Sequence, residues 1–180
     1  MLFKIKSHYR LLQFKTLVCL LGFLSLTGCQ LFHETPRAVS IIQAKSGSTI
    51  HGSINFSQDN DQVKVTGTFS GLAPNSEHGI HVHEVGDCSA LDASSAGGHY
   101  NPMGTKHGKH DSFNAHAGDM PNLKADQWGN AYYQATLNRF SLLGDQTILG
   151  RSVVVHQDRD DYVSQPAGNS GLRIGCGIIR

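Results

Sequence analysis

Ile50-His51-Gly52-Ser53-Ile54-Asn55-Phe56 and, beyond the polar turn Gln58-Asp59-Asn60-Asp61, Val63-Lys64-Val65-Thr66-Gly67-Thr68-Phe69 place apolar and polar residues in alternation. A period of two puts successive side chains on opposite faces of a strand, so each stretch predicts a β-strand with one face buried. Outward from this pair the same reading extends to Ile80–Glu84, Ala131–Leu137, Ser152–His156 and Leu172–Ile179. Turn chemistry separates them at Gly71-Leu72-Ala73-Pro74-Asn75 and at Asp126-Gln127-Trp128-Gly129-Asn130. No stretch holds a sustained helical period. Residues 86–123 and 157–171 lack strand character, and loops of that length in a compact domain are functional or disordered. The expected architecture is all-β: a flattened eight-stranded Greek-key barrel or sandwich with two long functional loops.

The N-terminus has a different character. Residues 1–28 carry Lys4, Lys6, Arg10 and Lys15 without an acidic residue, followed by the apolar run Leu17 to Leu26. That is the order of an export signal, and the run is too short to span a membrane. It ends in Leu26-Thr27-Gly28-Cys29, which resembles the bacterial lipobox and implies cleavage before Cys29 with lipid attached to its sulfur. Gln30 after the cysteine resembles outer-membrane sorting. The expected organisation is a signal over 1–28, a lipid-anchored tether over 29–40 and a single domain over 41–180, on the periplasmic side of a bacterial envelope.

Cleavage would leave eleven basic against fourteen acidic residues, a formal charge of −3. Phosphate binding needs a basic face, so nucleic acid is excluded as a partner. Cys19 leaves with the signal and Cys29 is committed to lipid, which leaves Cys88 and Cys176. In an oxidising compartment a remaining pair reads most simply as a disulfide. Metal ligation is the weaker alternative, because neither cysteine has a C-x-x-C or C-x-H spacing.

His81 and His83, two apart on a strand, project from one face while Val82 points to the other. They form a two-point chelate, and His156 at the end of Val153-Val154-Val155 can add a third imidazole from a neighbouring strand. A second group, His107, His116 and Asp119, supplies nitrogen and oxygen without sulfur and suits zinc if one more ligand is found. His99 lies between the groups, flanked by Gly97-Gly98 and Asn101-Pro102. With both ring nitrogens deprotonated an imidazole can hold a metal on each side, so His99 is the candidate bridge.

The motifs GIHVHEVGDCS (79–89), AGGHYNP (96–102), KHG (106–108), HAGDMPNL (116–123), ILGRSVVVH (148–156) and GNSGLRIGCG (168–177) resemble the copper, zinc superoxide dismutases, in the same order, across nearly all of residues 41–180. The resemblance implies one copper on His81, His83, His99 and His156. It implies one zinc on His99, His107, His116 and Asp119, together with a Cys88–Cys176 disulfide. It further implies that superoxide first reduces Cu(II) while His99 leaves the metal and takes a proton. A second superoxide then reoxidises Cu(I) and leaves as hydrogen peroxide. Arg173 matches the family's arginine beside the open copper position, where a guanidinium draws in a small anion. Asp160 matches the carboxylate that links His81 to His107 and fixes their tautomers.

Other conspicuous residues have plainer readings. His51 is on the polar face of a strand, His8 and His33 lie in the signal and tether, and His78 is a packing or hydrogen-bonding residue. Trp128 is an exposed turn residue. His110, three residues past His107, competes for the middle zinc position, and the spacings of eight and nine residues around His107 favour the latter. A storage lipoprotein holding copper and zinc without turnover would use the same ligands but would not need Arg173. A zinc hydrolase needs a water in the fourth position, which His99 and Asp119 fill. Beyond superoxide and a membrane reached through Cys29, the expected partners include neither nucleic acid nor a fixed oligomer: monomer and homodimer are both compatible with the resemblance.

Overall fold

The computed structural model describes residues 34–180, so the export signal and Cys29 lie outside the described residues. Nine strands are present there: β1 (Arg37–Ala44), β2 (His51–Asp59), β3 (Gln62–Ser70), β4 (Glu77–His78), β5 (Ile80–His83), β6 (Leu123–Lys124), β7 (Ala131–Leu137), β8 (Ser152–His156) and β9 (Arg173–Ile178). Seven form one antiparallel sheet in the order β5-β8-β9-β1-β2-β3-β7, and β4 pairs with β6 in a short ribbon. The chain therefore crosses from β3, next to one edge of the sheet, to β5 at the opposite edge, returns to β7 at the first edge, and crosses again to β8 beside β5. Such crossings are the Greek-key pattern, and the fold is all-β, as the alternation predicts.

Alternation works as physics at β2 and β3. Ile54, Phe56, Val63, Val65 and Phe69 turn inward, while His51, Asn55, Lys64 and Thr68 face water. Removing each of the five apolar side chains from water stabilises the fold by about 1.5 to 3 kcal/mol. Strand β1 is not among the expected strands, and residues 37–40, expected in the tether, pair with Phe56 and its neighbours inside the sheet. Strands β4 and β6 are additional as well, so the six stretches read as strands from the sequence become nine strands among the described residues.

Strands β5 and β8 are buried on both faces. One face carries Ile80, Val82, Val153 and Val155 into the main core. The other carries His81 and His83, and Val154, which packs with Ala93, Ala96 and the Cys88–Cys176 disulfide in a small second cluster. The disulfide joins residues 88 positions apart, with their Cα atoms 5.8 Å from each other. It ties the loop after β5 to β9, and this loop is the cover under which the histidines lie. Gly118 lets the loop approach: a Cβ there would overlap the Val82 carbonyl and sit 3.1 Å from Tyr100 N. In its absence Val82 N–H donates to Gly118 O at 2.9 Å and Gly118 N–H to Tyr100 O at 2.8 Å.

Candidate metal centre

Seven residues supply eight ligand positions between the second face of β5 and β8 and the loop that covers it. His81, His83, His99 and His156 form one group and His99, His107, His116 and Asp119 a second, each with its ligand atoms within 4.8 Å of one another. His99 belongs to both. Two isolated bridges bring the loop against β5, His81 opposite Asp119 and His83 opposite His99. At β8 a register irregularity after Val155 sets His156 opposite Arg173, the kind of bulge that re-aims side chains beside a site.

Hydrogen bonds decide which nitrogen of each ring faces the centre. His81 Nε2–H donates to Asp160 Oδ2 at 2.8 Å, and His83 Nδ1–H donates to the Gly97 carbonyl at 3.0 Å. His99 Nδ1–H donates to Asp119 Oδ1 at 2.9 Å. The opposite nitrogens, His81 Nδ1, His83 Nε2 and His99 Nε2, together with His156 Nε2, are buried and have no hydrogen-bond partner. Leaving a buried polar atom unpaired costs about 1 to 3 kcal/mol. Four converging lone pairs of this kind fit a divalent or monovalent copper, for which imidazole is a suitable ligand in both oxidation states.

The second group is built around one carboxylate. Asp119 Oδ1 accepts from His99 Nδ1 and, at 3.0 Å, from His107 Nδ1, and lies 3.4 Å from His116 Nδ1. Its Oδ2 accepts the backbone N–H groups of Gly108 and His116 at 3.0 and 2.9 Å. Burial opposes the charge, but the donors from His107, His116 and His99 outweigh it and hold Asp119 far below the usual carboxylate range. Three imidazole nitrogens and a carboxylate oxygen fit tetrahedral zinc, whose binding would displace the protons now shared with Asp119.

Asp160, fully buried, joins the two groups from behind. While Oδ2 accepts from His81, Oδ1 accepts from His107 Nε2–H at 2.9 Å and from Tyr162 N–H at 2.7 Å. Burial lowers the basicity of His107, yet its bonds to Asp119 and Asp160 prevail and push it up to about 9. Sequence reasoning missed the residues that hold Asp160 and His107. Asn122 brackets the Asp160 backbone, accepting its N–H at 3.0 Å and donating to its carbonyl at 2.9 Å. Gln165 does the same for His107 at 2.9 Å in both directions. Neither carried a local signal, because each acts on a residue 38 or 58 positions away. At Gly168, φ is +67°, and a Cβ would overlap Asp160 Oδ1 and lie 2.6 Å from His107 Nε2.

Arg173 is half-buried and donates from Nη1 to the Ala93 carbonyl at 2.8 Å. With His156 and Pro166 it lines cavities of about 310 and 400 Å³, the second of which also reaches His83, His99 and His116. Burial lowers the pKa of its guanidinium. His78 Nδ1–H donates to the His156 carbonyl at 2.9 Å, a hydrogen-bonding role as expected. His51 contacts Ser70 at 2.8 Å, and Trp128 is exposed. His110 belongs to neither ligand group.

These environments set a pH dependence for the metal-free protein. Burial, then repulsion from neighbouring imidazoles, pushes His81 and His83 well below the ordinary value of 6.5 and His156 down to about 3. As pH falls through 6.5 the unfolded chain takes up protons that these folded rings refuse, so stability is lost down to their folded values. His107 works in the other direction: its contribution is complete below 6.5 and is lost as pH rises to about 9. The expected result is a urea midpoint that is highest near neutrality and falls on both sides. A midpoint rising steadily from pH 6.5 to 4 would contradict it.

Comparison with known proteins agrees with this geometry. The sequence model of the copper/zinc superoxide dismutase family matches residues 50–179. The chain is 41% identical over 149 residues to "Superoxide dismutase [Cu-Zn]" of Paramecium bursaria Chlorella virus 1, covering 79% of each. It is 43% identical over 135 residues to "Superoxide dismutase [Cu-Zn] 2" of Aquifex aeolicus (strain VF5), covering 72% of this chain and 78% of that one. Among solved structures, the clock protein EA4 superposes with a TM-score of 0.74 at 36% identity, over 81% of this chain and 94% of its own. With its Greek-key sheet, its two histidine groups sharing one ring and a family match over most of its length, the chain belongs to the copper/zinc superoxide dismutase family.

Proposed function

We propose that this protein disproportionates superoxide to dioxygen and hydrogen peroxide at a centre in which His81, His83, His99 and His156 hold copper and His99, His107, His116 and Asp119 hold zinc. The observation that carries the reading is the set of four buried, unpartnered imidazole nitrogens sharing His99 with the Asp119 group. When bound, copper supplies one-electron redox chemistry and zinc supplies positive charge at a fixed position. The residues supply the rest. Asp160 fixes the rings of His81 and His107 in one tautomer, so that His81 offers Nδ1 forward. His99 presents Nε2 to one side and Nδ1 to the other, so Nε2 is the atom at which a proton can be held and returned to the product.

Arg173 gives the cavity its positive charge, and its bond to Ala93 leaves the remaining guanidinium donors for an incoming anion. On a net-acidic domain a local cation of this kind raises the encounter rate by about one to three orders of magnitude, the general range for steered association, of which superoxide dismutases are themselves a standard example. Every proposed ligand comes from one chain. The deciding experiment follows superoxide decay with metal content measured in the same sample: many turnovers per copper support the reading, and stoichiometric consumption supports storage instead. Arg173→Ala should slow decay by about tenfold or more at low ionic strength, with the deficit shrinking as salt screens the field.

The same reading puts the enzyme on the periplasmic side of a bacterial envelope, held by lipid on Cys29, with the outer membrane favoured. Its support is the order of basic segment, apolar run and Leu26-Thr27-Gly28-Cys29 in the sequence. No helix among the described residues is long and apolar enough to cross a membrane. Cys29→Ser should release the protein from the membrane fraction into the soluble envelope fraction, and retention in the membrane would contradict the anchor.

A further inference from the structure

Glu84 is an exposed carboxylate on the wall of the cavity of about 400 Å³ that also contains Arg173. Negative charge there opposes the entry of an anion, so its contribution must lie elsewhere, and its contacts show where. Glu84 Oε1 accepts the Gly98 N–H at 2.9 Å, and the Glu84 N–H donates to the Gly98 carbonyl at 2.9 Å. Its neighbour His83 donates from Nδ1 to the Gly97 carbonyl at 3.0 Å. The two glycines immediately before the shared ligand His99 are thus gripped by two successive residues of one strand end. Gly97, with φ of +72°, leaves room for this: a Cβ there would lie 2.7 Å from Glu84 Oε1 and 2.8 Å from its Cγ.

The grip is itself braced. Arg151 donates from Nη1 to the Glu84 carbonyl at 2.7 Å and places its guanidinium 3.9 Å from the centre of the Tyr100 ring. A guanidinium over an aromatic face is attracted by the negative charge of the ring's π-system, and Tyr100 is itself buried. The residues on either side of His99 are therefore tied to Glu84, one directly and one through Arg151. We propose that Glu84 is a positioning residue for His99, its carboxylate locking the Gly97-Gly98 turn that aims the shared imidazole between the two metal groups. The proposal rests on the ligand assignment above, because the benefit of aiming His99 is felt at the metals.

Three variants of the full chain separate the roles of this side chain. E84Q keeps an oxygen acceptor for Gly98 and loses the charge, E84A loses both, and E84D keeps the charge but is one methylene short. In the metal-free protein the Gly98 amide should exchange its hydrogen about five- to tenfold faster in E84A and E84D, the scale of one lost hydrogen bond of ordinary strength, and close to the wild-type rate in E84Q, which keeps the acceptor oxygen. In the copper- and zinc-loaded protein the Cu(II) electron paramagnetic resonance parameters should shift in E84A and return in E84Q. E84Q should also remove superoxide faster than wild type at low ionic strength. An unchanged spectrum and unchanged Gly98 exchange in E84A overturn the proposal; should E84A fail to fold, E84D against E84Q decides it by the same two measurements. A wild-type spectrum without four nitrogen ligands would overturn the copper assignment instead, and the Gly98 exchange would still test the grip.

Discussion

His99→Ala should lower catalytic removal of superoxide by more than about a hundredfold, with Cys88–Cys176 and the sheet intact. Losing a residue that merely orients a metal ligand already costs about 10- to 100-fold, and His99 is the one ring common to both groups. The alanine removes two functions together: a nitrogen from each group, and the Nε2 at which a proton is held. It also leaves Asp119 Oδ1 with one fewer imidazole donor, since His99 Nδ1 lies 2.9 Å away. The measurement is superoxide decay per bound copper, with copper and zinc quantified and folding checked by circular dichroism. A variant that keeps both metals and turns over within tenfold of wild type would sink the shared-ligand reading.

Replacing both cysteines, Cys88→Ser with Cys176→Ser, should cost about 4 to 5 kcal/mol of stability in the chain-entropy account, given the 88-residue separation. With a urea dependence of about 2 kcal/mol per molar, the midpoint falls by about 2 M. A functional loss should accompany it. The loop fastened by the disulfide contains Ala93, whose carbonyl holds the Arg173 guanidinium at 2.8 Å. With the loop untied, Arg173 loses that anchor, and the rate should fall with the same salt dependence as in Arg173→Ala. An unchanged urea midpoint contradicts the stability argument, and a full rate at low salt contradicts the anchoring argument.

Much of the fold was legible because burial on one face leaves a period of two in the sequence. The expected limits of β7 and β8 coincide with the observed ones, and β2, β3, β5 and β9 differ from expectation by a few terminal residues. Strand β1 was illegible for an identifiable reason. Its inward positions include Ser40 and its outward positions include Val39 and Ile41, so apolar and polar residues do not divide between faces. Strands β4 and β6, two residues each, are too short to carry any pattern. They form because the chain around them is already held, with Glu77 opposite Lys124 and His78 opposite Leu123.

At the site, the ligand-capable residues and their grouping are readable from the chain alone: the H-x-H phase puts His81 and His83 on one face, and the resemblance to the family orders the rest around His99. Which nitrogen of each ring faces the centre is settled by folding, because that choice is made by acceptors such as Asp160, 79 residues from His81, and Gly97, 14 residues from His83. The tertiary structure also revealed Asn122, Gln165 and Glu84, which hold a ligand or its neighbours through hydrogen bonds and have no periodicity of their own. A strand announces itself because its partner is the solvent boundary, which every residue along it meets in turn. The second sphere of this centre is fixed by single contacts between distant segments, and those come into being only when the sheet and its covering loops have closed.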